Sequence, residues 1–434
     1  MMTGDAEDRL RDLADCSVHA IITSPPYYGL RNYSESAQIG HEDTPKAYVE
    51  RLVAVFREAR RALRDDGSLW VVIGDCYAAN RSYQVSDSKY TAHDFAGSNA
   101  MRVPNRMKPK DLIGIPWMLA FALRDDGWYL REEIIWQKLS CMPESTKDRC
   151  TRQHETIFHL TKRQIYYHDW FAIAEPAAGM NEHDLTGQSY DAPGQATQTG
   201  SREKEAASTI KNARSVWTIN PEPFDSQMCT ACGTYYRGTD YKRLVKDEKN
   251  RRTCTCGAND AWLSHFATYP SRLVSRILRC STPDGGCCPH CETPLARIVE
   301  KGEPDEDWKR ASGADASGGY AGASRDGAAD GGAQDASATK ARILAGMTTK
   351  RTAGWKRTCG CPDGEPIPAV VLDPFSGAVT TLLSAARMGR HGIGIDLKRK
   401  YHIMSERRLR DPLAKCLDGD GSRLPFTEPK VSMA

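Results

Sequence analysis

The residues best suited to do chemistry lie in one short segment near the start of the chain, residues 21–27, which reads Ile-Ile-Thr-Ser-Pro-Pro-Tyr. The apolar residues predict a buried strand, and the prolines end it because they have no N–H to donate to a neighbouring strand. The Ser24 hydroxyl, the Pro25 carbonyl and the Tyr27 ring would then form a rigid arc at the strand's carboxyl end, where open α/β sheets bind ligands. Such an arc could hold a flat, polar group that stacks, such as a nucleobase amine.

A second group of candidate residues lies near the other end of the chain. A strand, a helix and a second strand are predicted over residues 369–372, 380–388 and 392–396. The loop after the first strand contains Asp373 and also Gly377, whose missing side chain lets the backbone approach a ligand. Asp396 ends the second strand, where an acid binds ribose hydroxyls in doubly wound nucleotide folds. Both acids are therefore expected to face a ligand rather than the core.

The two segments together resemble the amino-group DNA methyltransferases, the family that makes N4-methylcytosine or N6-methyladenine. Residues 23–27, Thr-Ser-Pro-Pro-Tyr, are similar to its catalytic motif, and residues 370–381 are similar to its S-adenosylmethionine loop. Catalytic motif first and cofactor motif last is the circularly permuted order of the family's β group. The sequence departs from the family at Val379, where glycine is usual, and this predicts a looser or shifted loop.

The resemblance implies a class I, Rossmann-like methyltransferase fold of the α/β class, with a mostly parallel sheet, one antiparallel edge and helices on both faces. The implied catalytic residues are Ser24, Pro25, Pro26 and Tyr27. The implied cofactor-binding residues are Asp5, Asp373, Phe375, Gly377, Thr380 and Asp396. For Asp5, a role as helix N-cap is the alternative.

The cysteines form two groups with the spacing of metal ligands, a C-x2-C pair followed by a C-x-C pair. They are Cys229, Cys232, Cys254 and Cys256 in the first group, and Cys288, Cys291, Cys359 and Cys361 in the second. A C-x2-C turn places two thiolates on one side, and a second pair across a β-ribbon completes a tetrahedral Zn²⁺ site. We therefore predict two structural zinc ribbons near the DNA side. Unligated thiols are the alternative, and Cys280 and Cys287 are competing ligands.

The remaining sequence predicts the elements that position these residues. Apolar spacing predicts helices over residues 48–63, 113–123 and 273–278, and strands over residues 68–75, 128–136 and 156–160. Asp65-Asp66-Gly67 is expected to end the first helix. The basic segment from Arg102 to Lys110 is either a solvated loop or a phosphate-contacting segment. Between residues 311 and 338, 21 residues are Ala, Gly or Ser, and this composition predicts a flexible loop.

These elements predict five regions of the chain. They are the catalytic part (1–175), an insertion with target recognition and the first zinc ribbon (176–264), a cofactor-closing helix segment (265–281), the second zinc ribbon (282–362) and the cofactor-binding part (363–434).

Composition narrows the class of protein. The chain has 434 residues and a net charge of only +3, so a nucleic-acid partner has to be argued from local clusters. No run approaches the ~18 apolar residues of a membrane helix. Without a secretory signal, the 15 cysteines indicate metal ligation or buried thiols rather than disulfides. We expect a soluble protein of the prokaryotic cytoplasm or of a phage-infected host.

The expected reaction is methyl transfer from S-adenosyl-L-methionine to an exocyclic amine of a base flipped out of double-stranded DNA. The N4 amine of cytosine is favoured over the N6 amine of adenine, because family members with an acid or amide at the position of Ser24 are typically adenine enzymes. No Pro-Cys pair occurs, so C5-cytosine chemistry is not expected. Two other classes stay open: a methyltransferase of RNA or a free amine, and a non-catalytic zinc-containing DNA-binding protein. Any restriction endonuclease would be a separate chain.

Overall fold

The computed structural model describes residues 1–29, 38–78, 107–141, 143–144, 146–176, 210–222, 226–247, 251–259, 261–263, 269–301, 350–414 and 416–425. Most of the basic segment 102–110, most of the insertion 176–264 before its cysteines, residues 264–268 and the low-complexity residues 311–338 lie outside the described residues.

The described strands, in chain order, are β1 (Met2–Thr3), β2 (Val18–Thr23), β3 (Leu63–Ile73), β4 (Tyr129–Gln137), β5 (His154–Thr161), β6 (Glu175–Pro176), β7 (Ile210–Lys211), β8 (Val216–Thr218), β9 (Gln227–Cys229), β10 (Tyr235–Tyr236), β11 (Trp262–Leu263), β12 (Ala296–Lys301), β13 (Lys350–Lys356), β14 (Val370–Asp373) and β15 (His391–Asp396). The described helices are α1 (Ala6–Arg11), α2 (Pro45–Ala62), α3 (Ile115–Asp125), α4 (Gly238–Arg243), α5 (Ser271–Ser281), α6 (Thr380–Arg387) and α7 (Arg399–Arg410), with one 3₁₀ turn at Trp170–Ile173.

The main sheet has eight strands in the order β1-β15-β14-β2-β3-β5-β4-β8. The first five of these run parallel, β5 is antiparallel to both β3 and β4, and β8 is parallel to β4. The sheet is mostly parallel, as predicted. The prediction of one antiparallel edge is wrong, because the antiparallel strand β5 lies inside the sheet and β8 is the strand at that edge.

The chain order reverses between β14 and β2. From β2 the chain passes through α2 to β3 on one side, and from β14 it passes through α6 to β15 on the other side. The two strands pair directly, with Leu372 opposite Ile21. In open α/β sheets, ligands bind outside the carboxyl ends of the strands at such a switch point. Both motifs singled out in the sequence lie there.

Helices cover both faces of this sheet. Leu69, Val71 and Ile73 of β3 belong to one core cluster with residues of α1, α2 and α3. Alternate strand residues face opposite sides, so Trp70 and Val72 point to the other face. There α5 packs against β2, β3 and α6. All five of these β3 side chains are buried, and the prediction of helices on both faces is confirmed.

The predicted elements are present with small shifts at their ends, except at one place. Helix α2 begins at Pro45, after the Thr44 side chain accepts a hydrogen bond from the Ala47 amide. Asp65-Asp66-Gly67 does not separate α2 from a later strand, since β3 begins at Leu63 and these residues form an irregularity within it. A Cβ at Gly67 would lie 2.7 Å from the His19 carbonyl oxygen, so a glycine permits this close approach of β3 to β2.

The contacts divide the chain into two compact units. The first comprises residues 1–169, 215–295 and 357–434, and it contains the main sheet. The second comprises residues 170–214 and 296–356, and its described strands form the pairs β6 with β7 and β12 with β13. None of the described helices combines the length and the apolar character needed to cross a bilayer.

Candidate active site and cysteine clusters

A buried hydrogen-bond network joins the two motifs at the switch point. The Thr23 hydroxyl, at the end of β2, donates to Asp373 Oδ1 at the end of β14 over 2.6 Å. Asp373 Oδ2 accepts from the hydroxyls of Tyr269, at 2.9 Å, and Thr381, at 2.7 Å. The Phe375 amide donates to Oδ1 as well. Burial raises the pKa of Asp373, and the hydrogen bonds oppose that rise.

The position of Asp373 differs from the expectation that it faces a ligand. Its side chain is 1% exposed, and both carboxylate oxygens are engaged by the chain itself. A buried carboxylate with this many donors holds the ends of several elements together. The Asp373 side chain thus links the end of β2 to α6 and to Tyr269, which lies just before α5.

The two carbonyls of the Pro-Pro turn have different surroundings. The Pro26 carbonyl accepts a hydrogen bond from the buried Tyr48 hydroxyl of α2 at 2.8 Å, which fixes the turn on the helix. Among the described residues, no donor contacts the Pro25 carbonyl. Ser24 lies beside it and is half-buried. One carbonyl therefore anchors the turn, while the other keeps its acceptor capacity.

Tyr27 is held by residues from two other strands. Its hydroxyl donates to Glu155 Oε2 of β5 at 2.7 Å, and Glu155 is paired in turn with Lys138, which follows β4. Burial and the negative charge of Glu155 raise the pKa of Tyr27 well above its usual value, so the hydroxyl stays protonated. A Cβ at Gly74 would come within 2.7 Å of the Tyr27 ring, so the residue after β3 has to be glycine for the ring to pack there.

The predicted cofactor residues lie at the carboxyl ends of three neighbouring parallel strands. Asp396, at the end of β15, pairs with Thr3 of β1, and Gly4 donates its amide to the Asp396 carbonyl. The Asp396 carboxylate accepts the amides of Gly377, at 3.1 Å, and Lys398, at 2.7 Å. It remains partly exposed, and burial raises its pKa to about 6.

Asp5 follows Gly4 and caps α1. Its Oδ1 accepts the amide of Glu7 at 2.9 Å, and its Oδ2 accepts from Arg51 of α2 at 3.1 Å. The alternative role as a helix N-cap is thus confirmed. The Asp5 side chain is 19% exposed, so the N-cap role leaves part of its carboxylate accessible.

The loop from Asp373 to α6 is tightly bound to the rest of the chain rather than loose. Val379 adopts a left-handed backbone with φ +55° and is fully buried. Positive φ is a genuine outlier for a β-branched residue, so the chain stores strain where the family usually has glycine. Ser405 donates to the Gly377 carbonyl at 3.1 Å, and Arg408 donates to Thr380 Oγ1 at 3.2 Å.

Phe375 lies between the loop and the helical layer. Its ring meets Phe56 of α2 edge to face, with centroids 6.4 Å apart, and is only partly buried. The exposed part of the ring is available to an aromatic ligand group.

The first cysteine group comes together as the spacing predicts. The sulfur atoms of Cys229, Cys232, Cys254 and Cys256 all lie within 4.8 Å of one another. Cys229 is 3.8 Å from Cys256, and Cys232 is 3.6 Å from Cys254. Four thiolates bound tetrahedrally at 2.3 Å from Zn²⁺ would be about 3.8 Å apart. Two of the separations thus match those of a tetrahedral zinc site, and the others lie within 4.8 Å.

The second group, Cys288, Cys291, Cys359 and Cys361, also has its sulfur atoms within 4.8 Å of one another. The competitors are not part of it: Cys280 donates to the Ile277 carbonyl, and Cys287 pairs its backbone with Ile367. Burial raises the pKa of the Cys287 thiol to about 12, which opposes its use as a thiolate ligand.

The C-x2-C turns of the two groups have the same backbone structure. The Gly233 amide donates to the Cys229 carbonyl and the Glu292 amide to the Cys288 carbonyl, each at 2.8 Å. Residues Gly233 and Glu292 both have positive φ, at +74° and +59°. The next residue in each turn is a threonine. Its carbonyl accepts a hydrogen bond from the amide of the first cysteine at 2.9 Å. The motif C-x2-C-x-T therefore occurs twice with one geometry.

The second group lies at the amino ends of the parallel strands. His19, at the start of β2, contacts the Glu292 carbonyl through Nε2 at 2.9 Å and accepts the Val370 amide of β14 on Nδ1 at 3.0 Å. Arg64 of β3 donates to the Cys291 carbonyl at 3.1 Å. Strand β2 therefore separates this group from Ser24, and the expectation that both groups lie near the DNA side stays a prediction.

Several residues of this site were given no role by the sequence. Glu155, Lys138 and Gly74 support Tyr27, while His19 and Arg64 hold the second cysteine group. No local signal identifies them, since each acts across a strand pairing or a long separation in the chain.

The switch point, with acids at the ends of β14 and β15, defines a doubly wound α/β domain of the class that binds nucleotide-like cofactors.

A family model described as DNA methylase matches residues 18–288. The chain is 39% identical over 286 residues to Type II methyltransferase M.Cfr9I of Citrobacter freundii, covering 66% of this chain and 73% of that protein. The corresponding values for Type II methyltransferase M.XycI of Xanthomonas campestris pv. cyanopsidis are 44%, 66% and 73%. Type II methyltransferase M.SmaI of Serratia marcescens is 43% identical over 225 residues, covering 52% of this chain and 68% of that protein. The chain belongs to the N6/N4 DNA methylase family.

Proposed function

We propose that this protein transfers a methyl group from S-adenosyl-L-methionine to the N4 amine of a cytosine flipped out of double-stranded DNA. The observation that carries the proposal is the hydrogen bond between Thr23 and Asp373. It fixes the Ser-Pro-Pro-Tyr turn beside the loop of β14, so a substrate amine and a cofactor bound at the switch point would be neighbours.

The residues around the loop fit this cofactor. Asp396 presents a partly exposed carboxylate that can accept ribose hydroxyls, Phe375 offers part of an aromatic face, and Asp5 adds a second acceptor on the adjoining strand end. When bound, the cofactor supplies an electrophilic methyl group. Its binding by the purified protein, measured by calorimetry, separates this function from that of a non-catalytic zinc-containing DNA-binding protein.

The catalytic task of the chain is to orient a weakly nucleophilic amine. The amine's lone pair is delocalised into the base, and hydrogen bonds from the amine to the Ser24 hydroxyl and the Pro25 carbonyl would reduce that delocalisation. The Pro25 carbonyl contacts no donor among the described residues, which suits this role. The Tyr27 ring, fixed by Glu155 and Gly74, would stack on the flipped base.

The choice of cytosine rests on the serine in the motif, and adenine N6 is the alternative. Both targets are exocyclic amines that need the same two acceptors. DNA from cells expressing the protein would be digested to nucleosides and analysed by mass spectrometry. We expect N4-methyldeoxycytidine; N6-methyldeoxyadenosine alone would favour the adenine reaction, and methylation of RNA or free amines alone would contradict both.

Each cysteine group is proposed to hold one structural Zn²⁺. The sulfur separations near 3.7 Å in the first group, and four thiols within 4.8 Å in each, support it. Purified protein should contain two zinc ions per chain by elemental analysis. A content below one after expression with ample zinc would count against both sites.

Three relatives named as Type II methyltransferases suggest a role in restriction and modification. In that role the protein would protect a DNA sequence from an endonuclease carried on another chain. Expressed alone, it should make plasmid DNA resistant to one restriction enzyme that reads the same sequence.

A further inference from the structure

The second compact unit presents a β-ribbon that the proposed reaction does not use. Strands β12 and β13 pair antiparallel from Ala296 opposite Lys356 to Lys301 opposite Lys350. No described side chain of this unit is buried, while Trp170 and Val299 are 41% and 38% exposed. The described part of this unit therefore offers a surface rather than a core.

The described side chains of this unit are strongly basic. Six are basic and two acidic, namely Lys211, Arg214, Arg297, Lys350, Arg351 and Lys356 against Glu175 and Glu300. Both acids already have partners, since Glu175 pairs with Arg214 at 2.9 Å and Glu300 with Arg351 at 4.0 Å. In the described part of the chain, no carboxylate lies within ion-pair distance of Lys350 or Lys356. The ribbon thus carries positive charge that no carboxylate of the described residues neutralises.

Aromatic rings fix some of these cations in place. The Arg297 guanidinium lies 4.3 Å from the ring centroid of Trp355 and 5.8 Å from that of Phe171, and it donates to Thr352 Oγ1 at 2.6 Å. Lys350 lies 6.0 Å from the centroid of the Trp170 ring. Cations held in this way lose less conformational entropy when they bind an anion. The bulge between Ile298 and Val299 increases the local twist of the ribbon.

We propose that this ribbon binds the phosphate backbone of the duplex DNA substrate. The inference rests on the proposed function, because it takes DNA as the substrate. Its own support is charge complementarity: unpaired lysines on an exposed, twisted two-stranded ribbon, an element that fits a DNA groove. In the chain this ribbon lies between α5 and β14, outside the predicted target-recognition region at residues 176–264.

The test compares two double charge reversals in the full-length protein. Lys350→Glu with Lys356→Glu alters the ribbon. Arg124→Glu with Arg163→Glu makes the same change in net charge on side chains that are 56% and 64% exposed in the first unit. Binding to a fluorescent duplex would be followed over a salt series without cofactor. The ribbon variant should bind at least tenfold more weakly at one salt concentration, with a salt slope smaller by about 1.8, since each lost phosphate contact removes about 0.9.

The control variant should bind within about twofold of the unaltered protein. The inference would be overturned if both variants lost the same affinity for the DNA duplex, or if the ribbon variant lost none. It would also be overturned if the ribbon variant lost affinity only for RNA duplexes. Lys350→Gln with Lys356→Gln should give a smaller loss in the same direction, with cofactor affinity unchanged as evidence of correct folding. An unaltered protein that binds DNA but transfers no methyl group would contradict the proposed function and leave the ribbon inference standing.

Discussion

The two ends of strands β2 and β14 are joined by different chemistry. At the carboxyl ends, the Thr23 hydroxyl bonds to the buried Asp373 carboxylate, next to the Ser-Pro-Pro-Tyr turn. At the amino ends, the neutral ring of His19 connects the Val370 amide to the second cysteine group, and burial lowers its pKa. At the carboxyl ends, the Pro25 carbonyl contacts no donor among the described residues, while at the amino ends both ring nitrogens of His19 are engaged.

The difference indicates that catalysis and anchoring can be separated along a single strand. Six residues of β2 span about 20 Å, so a change at one end need not disturb the other. The separation of catalytic from anchoring residues is not complete, however. Asp373 lies at the catalytic end of β14, yet it is as buried as any anchoring residue.

The largest effect is expected from altering the two ends of β2 separately. Ser24→Ala should lower the turnover number by about 100-fold or more, the scale seen when one catalytic hydrogen-bonding group is removed. Its free energy of unfolding should stay within about 0.5 kcal/mol of the unaltered protein. His19→Ala should instead lower that free energy by about 1 to 3 kcal/mol, because a buried amide loses its acceptor. Turnover per folded molecule and urea unfolding are the measurements, and a reversed pattern would break the comparison.

The next largest effect should distinguish the roles of the two acids at the predicted cofactor site, Asp373 and Asp396. Asp373→Ala should destabilise the fold by about 3 kcal/mol or more, since several buried donors lose one acceptor. Asp396→Ala should destabilise the fold less, because its partly exposed carboxylate accepts only two backbone amides. It should weaken cofactor binding by about 10- to 100-fold, the equivalent of about 1.5 to 3 kcal/mol for a hydrogen bond to a charged group. Calorimetry on both folded variants distinguishes the roles. Equal cofactor losses without destabilisation of Asp373→Ala would contradict the assignment of Asp373 to the network.

A pH dependence follows from the raised pKa of Asp396, which is about 6 in the unliganded protein. Below that pH the carboxyl group is protonated and loses acceptor capacity for ribose hydroxyls. Cofactor affinity should therefore be constant above pH 7 and fall by up to about tenfold per unit below pH 6. In the unliganded protein the same group has the opposite effect on stability: the folded state binds more protons between pH 4 and 6, so stability falls as pH rises through that window. Asp396→Asn should flatten both profiles, and an unaltered profile in that variant would assign the titration elsewhere.

A smaller effect on turnover is expected when the hydrogen bond between Glu155 and Tyr27 is weakened. Glu155→Gln keeps the shape but replaces a charged acceptor by a neutral one, which should reduce turnover about fivefold to tenfold, or about 1 to 1.4 kcal/mol. Because Glu155 acts through the Tyr27 hydroxyl, adding this change to Tyr27→Phe should cost little more. Additive losses in the double variant would show that Glu155 has a role independent of Tyr27.

The local features of this fold were predictable from the sequence. The end of β2 follows from β-branched residues that meet two prolines, and α2 follows from apolar spacing that continues for four turns. The cysteine groups follow from the spacing of their pairs, because a C-x2-C turn depends on few residues outside itself.

The contacts between distant segments were not predictable in the same way. Tyr27 and Glu155 are 128 residues apart in the chain, so their hydrogen bond depends on the antiparallel strand β5 lying inside the sheet. Asp65-Asp66-Gly67 has the composition of a turn, yet Arg64 bonds to Asp66 and to the Cys291 carbonyl and keeps this segment within β3. Tertiary contacts overrode the local preference at both places.

The smallest effect tests whether the two C-x2-C turns are interchangeable. Both place a residue with positive φ after the second cysteine, glycine at 233 and glutamate at 292. Glu292→Gly should relieve left-handed strain of about 1 kcal/mol. It also loses an ion pair with Arg64 at 3.9 Å, which is worth little because the glutamate is 44% exposed. The net result should be a stabilisation of about 0.5 kcal/mol in the zinc-loaded protein. Gly233→Glu, the matched change in the first turn, should destabilise by about 1 kcal/mol. Unfolding by denaturant measures both, and a destabilisation by Glu292→Gly would mean that its contact with Arg64 outweighs the backbone strain.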